Sequence, residues 1–395
     1  MGQMLNKEKT PLMKLSFYTL AILLLASACG SGNTEVTQTK KETMNTTYRF
    51  LLGSYTNAPE HGVYLVAFHS EKDSLSIDAV ASEPENPSFV IINRAQNRVY
   101  CVEETGGESG GKVSAFSLQQ GKFTKLNTVS AGGNGPCYVT LDPSERFVIV
   151  GNYSAGNFSV IPVSADGSLL EPIQTIAHTG SSVNPRRQTK PYVHSAVFHP
   201  SEPRVLIADL GTDEVVVYDF DATNESPLTE SPVFRLRVAP GAGPRHMVFN
   251  SSGDRLYLVH EITAAIGVYA YEDGKLTHLE THSLLQEGFE GNVGAAEVRI
   301  SPDGKFLYAS NRGDANELIV FETIEDGKLK HVQTIHSGGS APRNFNITPD
   351  GKFLLAGNQN SNLLLVFSRD QSTGILTPTD ISLEVNKPVY ITFLD

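Results

Sequence analysis

The chain has 395 residues, a formal net charge of −12 and 40% hydrophobic residues. This is a foldable composition, which excludes global disorder, and its acidity excludes a protein that grips DNA or RNA through phosphates. Three Cys in a chain this long exclude a disulfide scaffold.

Lys7, Lys9 and Lys14 precede the apolar run Leu20–Ala26, and small residues then lead to Cys29. A basic stretch, a short apolar core and a small-residue cleavage site predict a secretory signal too short for a comfortable membrane span. Ala26-Ser27-Ala28-Cys29 resembles a bacterial lipobox, with Ala where Leu is commoner. The expectation is a signal peptide over 1–28, lipidation at Cys29, and a polar tether over 29–47. The protein would then sit in the cell envelope, held to a membrane by its lipid alone. Cys101 and Cys137 fall in apolar strand-like runs that predict buried thiols, and their pairing stays open.

From residue 48 the chain repeats. Segments opening at Asn86, Gly135, Pro191, Gly243, Ala295, Ala341 and Lys387 each begin with a small residue or Pro and then alternate as a strand does. Most run into a tight turn such as Asp142-Pro143-Ser144 or Ser301-Pro302-Asp303-Gly304. Turn positions 93, 142, 199, 250, 301 and 348 lie 47 to 57 residues apart. That period, with four strands per unit, predicts an all-β propeller with four-stranded blades. The last unit stops after one strand, Pro388–Leu394, while residues 48–53, 62–68 and about 75–77 supply the three missing ones. Six full units plus this composite make a seven-bladed β-propeller over 48–395, closed by a blade that combines both termini.

Searches for familiar chemistry find little. His260-Glu261 lacks the second His of a zinc-protease motif, and the His residues show no zinc spacing. No metal or cofactor is expected. Gly107-Glu108-Ser109-Gly110-Gly111 matches Gly-x-Ser-x-Gly but falls in a hairpin loop rather than between a strand and a helix.

The informative residues are charges where the repeat wants small or apolar ones. His194, Arg245, His246, Glu297, Arg343 and Asn344 stand at first-strand openings, while Glu261, Arg312 and Gln359 follow second strands. In a propeller both places converge on one mouth of the central channel, and these residues come from four consecutive blades. An off-centre polar pocket follows, suited to an anionic or polyhydroxy ligand with a carbonyl to polarise.

Gly243-Pro244-Arg245-His246-Met247-Val248-Phe249, followed by Leu256-Tyr257-Leu258-Val259-His260-Glu261, resembles the signature of the lactonase family of seven-bladed propellers. Ala309-Ser310-Asn311-Arg312, Ala341-Pro342-Arg343-Asn344-Phe345 and His194-Ser195-Ala196 add to the likeness, which spans residues 48 to 395. The resemblance implies metal-independent hydrolysis of a small-molecule sugar lactone, with His194, Arg245, Glu261 and Arg312 as the catalytic set. Glu261 is then the first choice as base and His194 the alternative, with Arg245 and Arg312 on the oxyanion or an acidic substituent. His246, Glu297, Arg343, Asn344 and Gln359 are expected to bind substrate. The family includes 6-phosphogluconolactonases, but an exported chain fits an unphosphorylated aldonolactone better. The alternatives are a lactonizing isomerase and a non-catalytic binding propeller.

Overall fold

The structure, a computed structural model, describes residues 46–229 and 231–394. The expected signal peptide, Cys29 and nearly all of the tether lie outside the described residues. Seven four-stranded antiparallel sheets make up the fold, as the repeat predicts. Blade 1 orders Pro388–Leu394, Thr47–Ser54, Val63–His69 and Ser74–Ala81 from inside to outside. Blades 2 to 7 then run in chain order, with first strands Val90–Ile92, Pro136–Leu141, Val193–Phe198, Pro244–Phe249, Ala295–Ile300 and Pro342–Ile347. These first strands contact one another in sequence, and Pro388–Leu394 touches both the last and the first of them, which closes the ring.

Short polar side chains close the hairpins between first and second strands. Asp142 Oδ1 accepts the backbone N–H of Phe147 at 2.7 Å, and Asn250, Ser301 and Thr348 do the same for Arg255, Phe306 and Phe353. This is side-chain mimicry of a backbone turn, and it explains why Asp, Asn, Ser and Thr recur at those positions. Apolar faces fill the space between blades: Ile149 and Phe158 of blade 3, for example, pack with Ile207 and Val216 of blade 4. Cys101 and Cys137 are both buried and free.

At the other end of each first strand the ladder slips. Pairing shifts by one residue at Cys137, at His194, within Arg245-His246, within Ala296-Glu297, at Arg343 and at Val389. Such a bulge leaves one residue unpaired and re-aims its side chain. The residue after each second strand is also fixed in a regular way. In six blades its N–H donates to the carbonyl of the residue just before the first strand, as in Glu261 N to Gly243 O at 2.7 Å and Arg312 N to Gly294 O at 3.1 Å, and in blade 2 Glu104 N donates to Asn86 O at 3.1 Å.

Phe50, Leu51 and Leu52 pair with Phe393, Thr392 and Ile391, respectively, across the junction between the termini. Removing residues 388–394 exposes that edge and strips the inner strand from blade 1. The expected outcome is loss of the cooperative unfolding transition by circular dichroism, whereas a folded remnant with a modestly lowered midpoint would contradict this account of closure.

Candidate active site

Three layers of residues descend from the mouth. The uppermost consists of the residues that follow second strands: Tyr55, Glu104, Tyr153, Leu210, Glu261, Arg312 and Gln359. The next consists of the residues at or aligned with the bulges, including Cys137, His194, Arg245 and Arg343. The third includes Phe89, Tyr138, Tyr390, His246, Glu297 and Asn344. Phe89 lies 4.2 Å from Tyr138 and 3.7 Å from Tyr390 between ring centroids, so aromatic rings occupy the channel below the mouth.

Glu261 is the hub of the upper layers. Its Oε2 meets Arg245 Nε at 3.0 Å and Arg312 Nη2 at 3.2 Å, and His194 Nε2 stands 4.0 Å away. Its Oε1 accepts from Arg187 Nη2 at 2.5 Å. Burial by itself raises a carboxyl pKa, but Arg312, Arg245 and Arg187 outweigh it and hold Glu261 down at about 2. Arg245 is only 1% exposed. Burial and repulsion from Arg312 and Arg343 bring its pKa down to about 9. The His194 imidazole lies well below its ordinary value, from burial first and then from Arg245, so it is neutral at pH 7.

The structure thus brings the four predicted catalytic residues together around one carboxylate. Glu261 and Arg312 line an open cavity of about 310 Å³ with Arg343, Gln359 and Arg187. Arg343 and Gln359 therefore stand where a ligand would touch them. Arg343 also stacks over the Tyr55 ring at 5.5 Å, with its Nη2 4.0 Å from Glu104 Oε2. Gly313, which follows Arg312, adopts φ +76 where a Cβ would lie 2.1 Å from Asn292 O, so this turn requires Gly.

His246, Glu297 and Asn344, also expected to bind substrate, sit one layer deeper and do not line the 310 Å³ cavity. They form a buried network of their own. His246 Nδ1 lies 3.1 Å from Glu297 Oε2, Asn344 donates to the same oxygen, and Arg299 Nε lies 3.6 Å from Oε1. Burial works against the Glu297 charge, yet Arg299 and His246 hold its pKa at about 2. Burial, then Arg245, lowers His246 to about 4.

Sequence reasoning missed Arg187, Glu104 and Tyr153. The last two occupy the same repeat position as Glu261, so the repeat itself carried the signal. Arg187 lies on the connection between blades 3 and 4, within the 57-residue step that is the longest in the repeat. A larger cavity of about 710 Å³ opens at the turn end of the strands, near Asp142, His199 and Glu202. It holds none of the predicted site residues. Among the described residues, no group of three or more His, Cys, Asp or Glu is placed to hold a metal ion.

A closed seven-bladed ring with an arginine-rich mouth organised around Glu261 defines a small-molecule site at the propeller axis. The chain belongs to the lactonase family of seven-bladed β-propellers, whose model matches residues 49–393. It is 33% identical to the 6-phosphogluconolactonase of Bacillus subtilis over 88% of this chain and 99% of that one. It is 30% identical to a protein of the same name from Formosa agariphila, over 85% and 96%. The solved structure of the periplasmic gluconolactonase of Pseudomonas aeruginosa matches at 34% identity with a TM-score of 0.84, over 89% of this chain and 99% of that one.

The buried charges set a pH dependence. His246 binds fewer protons folded than unfolded between about pH 4 and 6.5, and Glu261 and Glu297 do so between about 2 and 4.5. Stability therefore falls on acidification through both windows. Urea midpoints should drop from pH 7 to 5 and again to 3.5; a constant midpoint would contradict the assignment. Glu297→Ala strands Arg299 in the channel and should cost about 3 kcal/mol at pH 7 by the same measurement.

Proposed function

We propose that the protein hydrolyses a sugar lactone, with water activated by His194 and the developing oxyanion held by Arg312. The observation that supports this reading is the convergence of His194, Arg245 and Arg312 on Glu261 at the mouth. Lactone hydrolysis needs a base for the water, a donor for the carbonyl oxygen and an acid for the departing ring oxygen. Sequence alone assigns the base role first to Glu261. Three guanidiniums hold that carboxylate at about 2, which makes it a weak base at neutral pH. A neutral His194 suits the role better. Water attacking the carbonyl gives its proton to the imidazole, and Glu261, 4.0 Å away, stabilises the resulting cation. When the ring C–O bond breaks, the imidazolium returns that proton to the leaving oxygen. Glu261 also holds Arg245 and Arg312 in place, and Arg312, on the open cavity, is the donor that reaches the oxyanion.

The test is acid release from glucono-1,5-lactone and its 6-phosphate in a pH-stat, with chelator present and spontaneous hydrolysis subtracted. Turnover should resist the chelator, and His194→Asn should lower kcat by about 10²–10⁴-fold. If His194→Asn retains activity while Glu261→Gln abolishes it, the base is Glu261. Rates at background on both lactones would leave a binding propeller.

We infer, on separate grounds, that the protein is exported and anchored through Cys29. The basic stretch, apolar run and lipobox-like tetrapeptide support this, as does kinship with a relative described as periplasmic. Labelled palmitate should enter the wild-type chain and not Cys29→Ala, and the variant should leave the membrane fraction. Equal partitioning of the two would overturn the anchor.

A further inference from the structure

The mouth is oversupplied with positive charge. Among the described residues, Arg187, Arg245, Arg312 and Arg343 pair with two carboxylates, Glu261 and Glu104. Glu261 already serves three of the four guanidiniums. Arg245 is sealed beneath it, and its Nη1 donates to Ala296 O. Arg312 is tied on its other side, where Nε donates to Gly294 O at 2.8 Å. Arg187 differs. Its side chain is 43% exposed, it lines the open cavity, and among the described residues its guanidinium meets Glu261 and, at 3.3 Å, Tyr153 Oη.

The backbone beneath it is firmly held. Asn184 Oδ1 accepts the N–H groups of Arg186 and Arg187, each at 3.1 Å. The next residue, Gln188, is fully buried and locks the turn: its Oε1 accepts Asn184 N at 3.1 Å and its Nε2 donates to Leu210 O at 2.9 Å. A fixed backbone carrying a solvent-reaching guanidinium at a cavity edge is a built anion receptor.

We propose that Arg187 is the specificity residue of this mouth, and that an anionic group on the lactone, a phosphate monoester or a carboxylate, displaces Glu261 as its partner. This rests on the lactone-hydrolase reading and names the substrate class of that site. The exchange leaves the charge count of the mouth closer to balance and frees Glu261 Oε1 from its shortest contact. A carboxylate-bearing aldarolactone satisfies the same chemistry as a sugar phosphate, so an envelope location and an anionic substrate are compatible.

The experiment compares glucono-1,5-lactone, its 6-phosphate and glucaro-1,4-lactone on purified wild type, Arg187→Ala and Arg187→Lys. For the preferred anionic lactone, the ratio of its kcat/KM to that of the neutral lactone should fall about tenfold or more in Arg187→Ala, chiefly through KM. Arg187→Lys should restore part of it. Which anionic lactone carries the larger ratio in wild type separates phosphate from carboxylate. An unchanged ratio, with both substrate classes losing equally, overturns the proposal. Calorimetric titration with 6-phosphogluconate and glucarate needs no turnover. Arg187-dependent binding without hydrolysis of any lactone would sink the hydrolase reading and keep the Arg187 assignment. Equal binding by wild type and Arg187→Ala, or none by wild type, would sink the assignment itself.

Discussion

Six of the seven first strands carry one residue more at the mouth than the strand beside them. A strand that is one residue too long turns a side chain out of its pleat. Here that surplus falls where seven strands crowd one axis, so the displaced side chains of His194, Arg245 and Arg343 reach the carboxylates at the mouth instead of a sheet face. The propeller is a means of delivering them from separate blades to one point, on backbone fixed by hydrogen bonds that recur in every blade. Catalytic or ligand-binding groups gain accuracy when rigid strands carry them.

Gathering such residues has an electrostatic cost, because a buried charge without a partner is expensive. The molecule meets it with two carboxylates at two depths. Glu261 organises the guanidiniums near the opening, and Glu297 ties His246, Asn344 and Arg299 together below. Edge-on contact between the His194 and His246 rings, at 5.2 Å, joins the two groups into one polar column. The upper part opens to the cavity of about 310 Å³, whereas the lower part lines a small one of about 40 Å³. The upper imidazole is kept uncharged by burial first and then by Arg245, with His246 of the lower group adding to both.

The sequence was most readable where it repeats. Hairpin residues such as Asp142, Ser301 and Thr348 announce both the turn and its spacing, and the single leftover strand at 388–394 betrays the ring closure. Charged residues at repeat positions pointed to the mouth, and the structure joins His194, Arg245, Glu261 and Arg312 there. Depth was not legible. Arg245 and His246 are adjacent in sequence, yet one bulge puts them in different layers, and no pattern of residue types reveals which residue a bulge will displace. Arg187 was hidden for a different reason. It belongs to an insertion, outside the repeat, and its place over Glu261 depends on a turn locked by Asn184 and Gln188.

The pairing of Thr47–Ser54 with Pro388–Leu394 bears on how the molecule is made. Three strands of blade 1 are synthesised early, but their innermost neighbour follows the strands of all six other blades. Until then blade 1 lacks its axial strand, and the ring stands open with unpaired edges on either side of the gap. Local hairpins form early, whereas the final topology waits for a contact spanning more than 330 residues, so closing the ring is the slow step of folding.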